Sequence, residues 1–383
     1  MKNVFVIFCI SLLFIPNIVF ANDGDFTPNA SSSILIDYDT KEVLYGKEEN
    51  KRTSVASLTK MVGLILIMEK IDEGSLKTSE YVTVSKNAKE MGGTQLWLEE
   101  GEKISVDDLL KGITMASAND AMVAMAERIS GTEAAFVKKM NDKVRKLGLH
   151  NTNFVNCTGF DEEGAYSTAY DMAIVASELL KHNKILDYTS KYESYIRENT
   201  DNKTWITNTN KLVKFYPGVD GLKTGYTDNA GSSLAVTAKK NGLRLIGISF
   251  GYNDTKTRNS EMMSLLDYGF SQYTSKTIFK KNQVIKQISV PEANVNKINL
   301  LVKEDVNVTN RVGGEPQKYN YYVKLNTFNY PIKKGDTIAT LYLKYDSGVV
   351  KEIDLITDTN IKRASFFKQY FGIIKNMLNG NII

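Results

Sequence analysis

Between Ser32 and Gly46 the chain sets two short apolar runs, Ile34 to Tyr38 and Glu42 to Tyr45, on either side of Asp39-Thr40-Lys41. That pattern predicts a β-hairpin. From Ser57 to Glu73, Leu58, Met61, Val62, Leu64, Ile65, Leu66, Ile67, Met68 and Ile71 leave almost no polar face. Such a helix is buried nearly all round. Ser105 to Ser130 reads as two helices broken near Ser117-Ala118-Asn119, with Asn119 or Asp120 as cap of the second, Ala121 to Arg128. A third helix, Glu133 to Leu147, stops at Gly148, a C-cap residue. Leu222 to Thr224 reads as a short strand. Ser232 to Lys240 and Leu243 to Gly251 follow as strands joined through Asn241-Gly242, a tight-hairpin signal. Glu261 to Tyr273 has helical periodicity, with Met262, Leu265, Leu266 and Phe270 inward. Beyond about residue 280 the period shortens. Val284 to Val290, Tyr321 to Leu325 and Thr337 to Lys344 alternate between turn residues, which predicts a small all-β domain.

Both ends carry a different signal. Lys2 precedes an apolar stretch from Val4 to Phe20 that closes on Val19-Phe20-Ala21, the pattern of an export signal cleaved after Ala21. Pro16 and Asn17 interrupt the stretch, which argues against a membrane span. From Ser365 to Ile383, Phe366, Phe367, Tyr370, Phe371, Ile374 and Leu378 fall on one helical face, with Lys368, Gln369, Lys375, Asn376 and Asn379 on much of the rest. This suits either a helix lying in a membrane interface or a last helix docked on the protein's own core. The expected organisation is therefore a signal peptide (1–21), a main domain (22–280), an all-β domain (281–362) and an amphipathic, membrane-associating helix (363–383). The chain's 383 residues exceed one simple core. A net charge of +4, spread without a basic block, gives no sign of nucleic-acid binding. After cleavage Cys157 is the one remaining cysteine, so no internal disulfide is expected.

Three short motifs occur in order: Ser57-Leu58-Thr59-Lys60, Ser117-Ala118-Asn119 and Lys223-Thr224-Gly225. Each alone is weak. Ser365-Phe366-Phe367-Lys368 imitates the first and Ser85-Lys86-Asn87 the second, so setting decides. Ser57 opens a buried helix, where a serine is either a plain N-cap or a nucleophile. Lys60 shares its face one turn on. Burial and nearby positive charge favour a neutral amine there, able to accept the serine proton, whereas a snorkelling lysine would stay charged. Ser117 and Asn119 lie at a helix break, as caps or as a proton relay and a peptide-binding amide. Lys223, Thr224 and Gly225 read as a strand edge that can pair with an extended peptide, with an ammonium and a hydroxyl to hold a carboxylate. Gly225 permits close backbone approach.

Together the motifs match those of penicillin-binding proteins and serine β-lactamases. Their settings, Thr53-Ser54-Val55-Ala56-Ser57-Leu58-Thr59-Lys60, Met115-Ala116-Ser117-Ala118-Asn119-Asp120-Ala121 and Asp220-Gly221-Leu222-Lys223-Thr224-Gly225-Tyr226-Thr227, resemble the low-molecular-mass D-alanyl-D-alanine carboxypeptidases. The resemblance runs from about Ser32 to Tyr273 and more loosely onward. It implies an α/β (α+β) fold, a five-stranded antiparallel sheet flanked by helices with a smaller C-terminal all-β domain. It implies Ser57 as acylated nucleophile and Lys60 as its base, with Ser117 and Asn119 as second motif. Lys223, Thr224 and Gly225 would bind substrate. The N–H groups of Ser57 and Tyr226 would form an oxyanion hole, and Arg258 would face the substrate's terminal carboxylate. Two departures stand out: Tyr226 and Ala165 occupy positions where the family often has His.

The implied reaction removes the terminal D-alanine of peptidoglycan stem peptides ending in D-Ala-D-Ala, on the outer face of a bacterial cytoplasmic membrane, with β-lactams as inhibitors. No metal or organic cofactor is implied, because no His/Cys/Asp cluster has ligand spacing and His150 and His182 stand apart. A β-lactamase is the nearest rival, but Glu178-Leu179-Leu180-Lys181-His182-Asn183 lacks the Glu-x-x-Leu-Asn pattern of class A enzymes. A non-catalytic cell-wall binder would not need the Ser57, Lys60 and Lys223 set.

Overall fold

The structure, a computed structural model, describes residues 24–290, 293–346, 348 and 350–364. The expected export signal lies outside them, as do the Ser365 motif and all but the first two residues of the expected C-terminal helix (363–383); of those two, Arg363 forms an isolated β-bridge and not the start of a helix. Up to Gln272 the elements are β1 (Ser32–Asp37), β2 (Val43–Lys47), α1 (Lys60–Asp72), β3 (Tyr81–Thr83), α2 (Lys86–Lys89), β4 (Lys103–Ser105), α3 (Val106–Lys111), α4 (Asn119–Ser130), α5 (Glu133–Lys146), α6 (Ala169–Leu179), α7 (Leu186–Thr189), β5 (Glu193–Ile196), β6 (Thr204–Thr207), α8 (Leu212–Phe215), β7 (Val219–Thr227), β8 (Gly231–Lys240), β9 (Leu243–Tyr252) and α9 (Thr255–Gln272).

Five of the strands form one antiparallel sheet in the order β2-β1-β9-β8-β7. Its inner strands are apolar on both faces, and each face has its own helices. Ile34, Ile36, Ala235, Ile246, Ile248 and Phe250 join the core containing α1, α4, α5 and α6. Leu35, Leu234, Val236 and Leu245 point the other way, onto Met262, Leu265 and Leu266 of α9. The period of two in the strands thus divides one sheet between two cores. The Asn241-Gly242 connection turns with φ of +50° and +85°, as a primed hairpin turn requires.

Several boundaries differ from the sequence expectation. β7 is nine residues long and not three, because Gly221 and Gly225 interrupt its apolar signal without interrupting the strand. α9 begins at Thr255, six residues early, where Asp254 accepts hydrogen bonds from the Lys256 and Thr257 N–H groups and offsets the poor helix formers of the first turn. Phe270 is only partly buried. Neither Asn119 nor Asp120 caps α4: the N-cap is Ala118, without a side-chain bond. Asp120 instead accepts the N–H groups of Leu96 and Leu98, at 2.9 to 3.2 Å. Ser85 of the decoy motif is an ordinary cap, accepting the Ala88 N–H.

The rest of the chain is all β. β10 (Tyr273–Phe279), which precedes the expected boundary at 280, pairs with β13 (Val306–Arg311). β11 (Val284–Ser289), β12 (Lys297–Val302), β14 (Tyr319–Leu325), β15 (Thr337–Tyr345) and β16 (Val350–Thr357) form a second antiparallel sheet in the order β11-β12-β16-β15-β14. Its core is built on Ile298, Leu300, Leu341, Leu343 and Leu355. Arg363 bridges back to Ala293, so the fold continues to the last described residues. Among the described residues no helix is long and apolar enough to cross a membrane.

Candidate active site

The three motifs, 106 residues apart at the Ser117–Lys223 contact, meet where the open edge of β7 faces the start of α1. Ser57 does not cap α1. It sits in a 3-10 turn, Ala56–Thr59, that has no side-chain cap bond and hands over directly to α1 at Lys60. That turn follows a residue in a sparsely populated conformation, Ala56 at φ +47°. Gly159 explains how the turn is accommodated. At φ +87°, a Cβ on Gly159 would lie 1.9 Å from the Ala56 carbonyl oxygen and 2.9 Å from the Ser57 nitrogen. Gly225 is the second close approach: its added Cβ would lie 3.2 Å from the Ser57 nitrogen. The β7 backbone at 225–226 is therefore held against the backbone N–H of Ser57, at the first turn of a helix where such groups lack intrahelical acceptors.

Lys60 Nζ lies 2.8 Å from Ser57 Oγ and donates to the Thr158 carbonyl at 2.5 Å. The side chain is fully buried, and burial lowers its pKa to about 7. The adjoining Cys157 thiol opposes this, but burial pushes that thiol well above its ordinary value, so it supplies little negative charge. A neutral amine has two N–H donors and one lone pair. With one donor on Thr158, the lone pair is free to accept the Ser57 proton.

Ser117 ends a π-helical turn, Gly112–Ala116, and adopts φ +69°. Its Oγ accepts from Lys223 Nζ at 2.7 Å, and the same nitrogen donates to the Thr224 carbonyl at 2.8 Å. Lys223 is 1% exposed, and burial, then Lys60 and Arg258, hold its pKa well below the ordinary lysine range. Asn119 Nδ2 donates to the Gly92 carbonyl at 2.8 Å, which ties the loop after α2 to the site. Thr224 Oγ1 donates to Thr209 Oγ1 at 2.6 Å. Arg258 is buried. It donates to Ser232 Oγ and the Ser233 carbonyl, both at 3.0 Å, on the strand next to β7, and to Asn259. Burial lowers its pKa to about 10. The Tyr226 side chain points outward, 65% exposed, and its hydroxyl reaches Asp228.

All nine sequence-picked residues thus fall in one region, although Tyr226 contributes backbone alone to the interior. The sequence reading missed the 156–161 loop, where Thr158 holds Lys60 and Asp161 accepts hydroxyl protons from Ser54 and Thr227 at 2.6 and 2.9 Å. It also missed Thr209. Gly159 following a polar loop was the available signal for the first; nothing in the sequence marked the second.

A serine and a buried lysine on one helix turn, facing the open edge of a five-stranded antiparallel sheet, define the penicillin-recognising class of serine acyl-transfer enzymes. The comparisons narrow that class. The D-alanyl-D-alanine carboxypeptidase family profile matches residues 20–254, and that of the penicillin-binding protein 5 C-terminal domain matches residues 273–363. The D-alanyl-D-alanine carboxypeptidase DacF of Bacillus subtilis is 45% identical over 360 residues, 93% of this chain and 92% of its own. Penicillin-binding protein 5 of Haemophilus influenzae superposes with a TM-score of 0.65 at 28% identity, covering 88% of this chain and 98% of that one. Penicillin-binding protein D2 of Listeria monocytogenes, solved in its ampicillin-bound form, gives 0.57 at 31% identity over 63% of this chain and 98% of its own. The chain belongs to the D-alanyl-D-alanine carboxypeptidase family, a family of serine peptidases.

Proposed function

We propose that the protein releases the terminal D-alanine of peptidoglycan stem peptides through an acyl-enzyme on Ser57. The observation that carries this reading is the 2.8 Å contact between Ser57 Oγ and a fully buried Lys60 amine. Ser57 Oγ attacks the carbonyl carbon between the two D-alanines, and its proton passes to Lys60 Nζ. The oxyanion is taken by the N–H groups of Ser57 and Tyr226, which the glycines at 159 and 225 allow to converge. The C–N bond then breaks, and Ser117 relays the proton to the departing amine. Water attacks the ester, with Lys60 again as base, and releases the shortened peptide.

Lys223, Thr224 and Arg258 hold the terminal carboxylate, and the Asn119 amide holds the peptide. A bound carboxylate restores the charge that burial withdraws from Lys223. β-Lactams, which present a carboxylate and a strained amide, acylate Ser57 in the same way. The substrate places the protein outside the cytoplasm, with residues 1–21 as export signal and the segment from 365 as its membrane-surface contact. The test is mass spectrometry of a digest after incubation with penicillin: one adduct is expected, on the peptide carrying Ser57. An adduct on any other serine ends the assignment.

A further inference from the structure

Between β6 and α8 runs Asn208-Thr209-Asn210, and its two amides are 1% exposed. Every polar atom of those amides is used on backbone. Asn208 Nδ2 donates to the Thr189 and Lys191 carbonyls at 3.0 and 2.9 Å, and its Oδ1 accepts the Asn210 N–H at 2.8 Å. Asn210 Nδ2 donates to the Gly221 carbonyl on β7 at 3.0 Å, and its Oδ1 accepts the Leu212 N–H at 3.2 Å. The residue between them is exposed, so the two anchors present Thr209 at the surface beside Thr224.

Thr209 touches two of the three motif segments. Its N–H and its Oγ1 both donate to the Met115 carbonyl, at 2.9 and 3.1 Å, two residues before Ser117. Its Oγ1 accepts from Thr224 Oγ1 at 2.6 Å. A hydroxyl has one proton. With the Thr209 proton on Met115 and the Thr224 proton on Thr209, Thr224 offers an incoming anion only lone pairs. In that arrangement it repels a carboxylate.

One rotation reverses this. If the Thr209 proton turns from Met115 to Thr224 Oγ1, the Thr224 proton is freed to point into the site. The Met115 carbonyl keeps the Thr209 N–H, so no buried acceptor is orphaned. Two hydroxyls in series then polarise each other toward the anion. We infer that Thr209 is a positioning residue for carboxylate recognition: ligand binding reverses a two-hydroxyl chain, and Thr209 supplies the hydrogen bond that turns Thr224 from acceptor into donor. This rests on the reading that Lys223, Thr224 and Arg258 hold the substrate carboxylate.

The test compares two thioesters with one acyl group, N-acetylated Lys-D-Ala, whose leaving group is thioglycolate or its methyl ester. The wild-type enzyme should prefer the free carboxylate. In Thr209→Ala, kcat/KM for the thioglycolate should fall about fivefold, the weight of one hydrogen bond, with the methyl ester within about twofold of wild type. Thr209→Ser should restore the preference, because serine has the hydroxyl and lacks only the methyl. Equal loss on both substrates would make Thr209 a mere loop anchor. An undiminished carboxylate preference in Thr209→Ala, or failure of serine to rescue, would also overturn the inference. If the wild-type enzyme itself shows no preference, the carboxylate reading falls, and the Thr209 role with it.

Discussion

The acylation rate should report directly on the Lys60 proton. At pH 7 a lysine at its ordinary 10.5 is neutral in roughly 3 molecules in 10,000, whereas one held at about 7 is neutral in about half of them. Burial therefore raises the fraction of competent base about a thousandfold at neutral pH. Below the folded value the competent fraction gains about tenfold per pH unit; above it the fraction is already near one. The second-order rate constant for acylation by a fluorescent penicillin, followed from pH 5.5 to 9.5, should climb with that slope and level off just above 7. The penicillin carboxylate stays ionised across the range, and loss of the Lys223 charge could only lower the rate as pH rises, so the ascending limb belongs to Lys60. A rate that keeps climbing past pH 9 would mean an ordinary, solvated Lys60. A flat profile would mean that Lys60 is not the base. The same burial fixes the sign of the stability effect. The folded pKa lies below the unfolded one, so the wild-type fold gains stability as pH rises from about 7 toward 10.5. Lys60→Met should abolish acylation yet melt no lower than wild type at pH 7, with its advantage shrinking as pH rises. A Lys60→Met protein that melts well below wild type would make the lysine structural.

Lys60→Arg cannot accept a proton and should lose at least about a hundredfold in acylation, read against circular dichroism to show that it folds. Gly159→Ala would place its methyl 1.9 Å from the Ala56 carbonyl oxygen, so the Ala56–Ser57 backbone must shift; acylation should fall by more than about tenfold, and unchanged acylation would show that the close approach is not needed. Arg258→Ala should reduce hydrolysis of free-ended D-Ala-D-Ala peptides at least about tenfold more than hydrolysis of the matched terminal amide, the range of a charge-assisted bond; equal loss would make Arg258 structural. A protein ending at Ala364 keeps the Arg363 bridge, and should be fully acylated by penicillin yet fail to sediment with vesicles rich in anionic lipid, in contrast to the full chain. Loss of acylation on that truncation would mean that the segment from 365 belongs to the core.

What the sequence disclosed follows from how far each signal reaches. Alternation and the Asn241-Gly242 turn are local, so β1, β2, β8 and β9 were legible, whereas β7 was read only in part and the placement of helices on both faces of the sheet came from the family resemblance alone. The motif set picked Ser57, Lys60, Ser117, Asn119 and Lys223 as candidates without any geometry, and the fold brings them together. The contacts that complete the site are not local. Lys60 meets Thr158 across 98 residues, and Thr209 meets Met115 across 94. No periodicity encodes such pairings. Backbone conformation was equally hidden. The 3-10 turn at Ser57, the π turn before Ser117 and the positive φ of Ala56 and Ser117 arise from packing, in residues with no strong preference of their own. A serine before an apolar helix could be read in sequence as a cap or as a nucleophile, and Ser57 has no capping bond.

The electrostatics of the site are those that the proposed function requires. Lys60, Lys223 and Arg258 are buried close enough for Lys60 and Arg258 both to depress Lys223. Among the described residues, their hydrogen bonds go to hydroxyls, carbonyls and one amide, and none goes to a carboxylate. An assembly of three unpaired cations is unfavourable for folding, and a protein selected for stability alone would place a carboxylate among them. On the proposed function, doing so here would fill the place of the substrate's own terminus. Burial instead draws protons from the two lysines, lowering Lys60 to about 7 and Lys223 well below the ordinary lysine range. Under the proposed function, a substrate carboxylate arriving beside Lys223 and Arg258 would supply the missing negative charge at one end of the site. Lys60 and Ser57, at the other end, would be left as the pair that the proposed acylation requires, with Lys60 neutral in about half of the molecules at pH 7. On the proposed function, binding and catalysis thus draw on one imbalance: the anion that satisfies Lys223 is part of the molecule that Ser57 attacks.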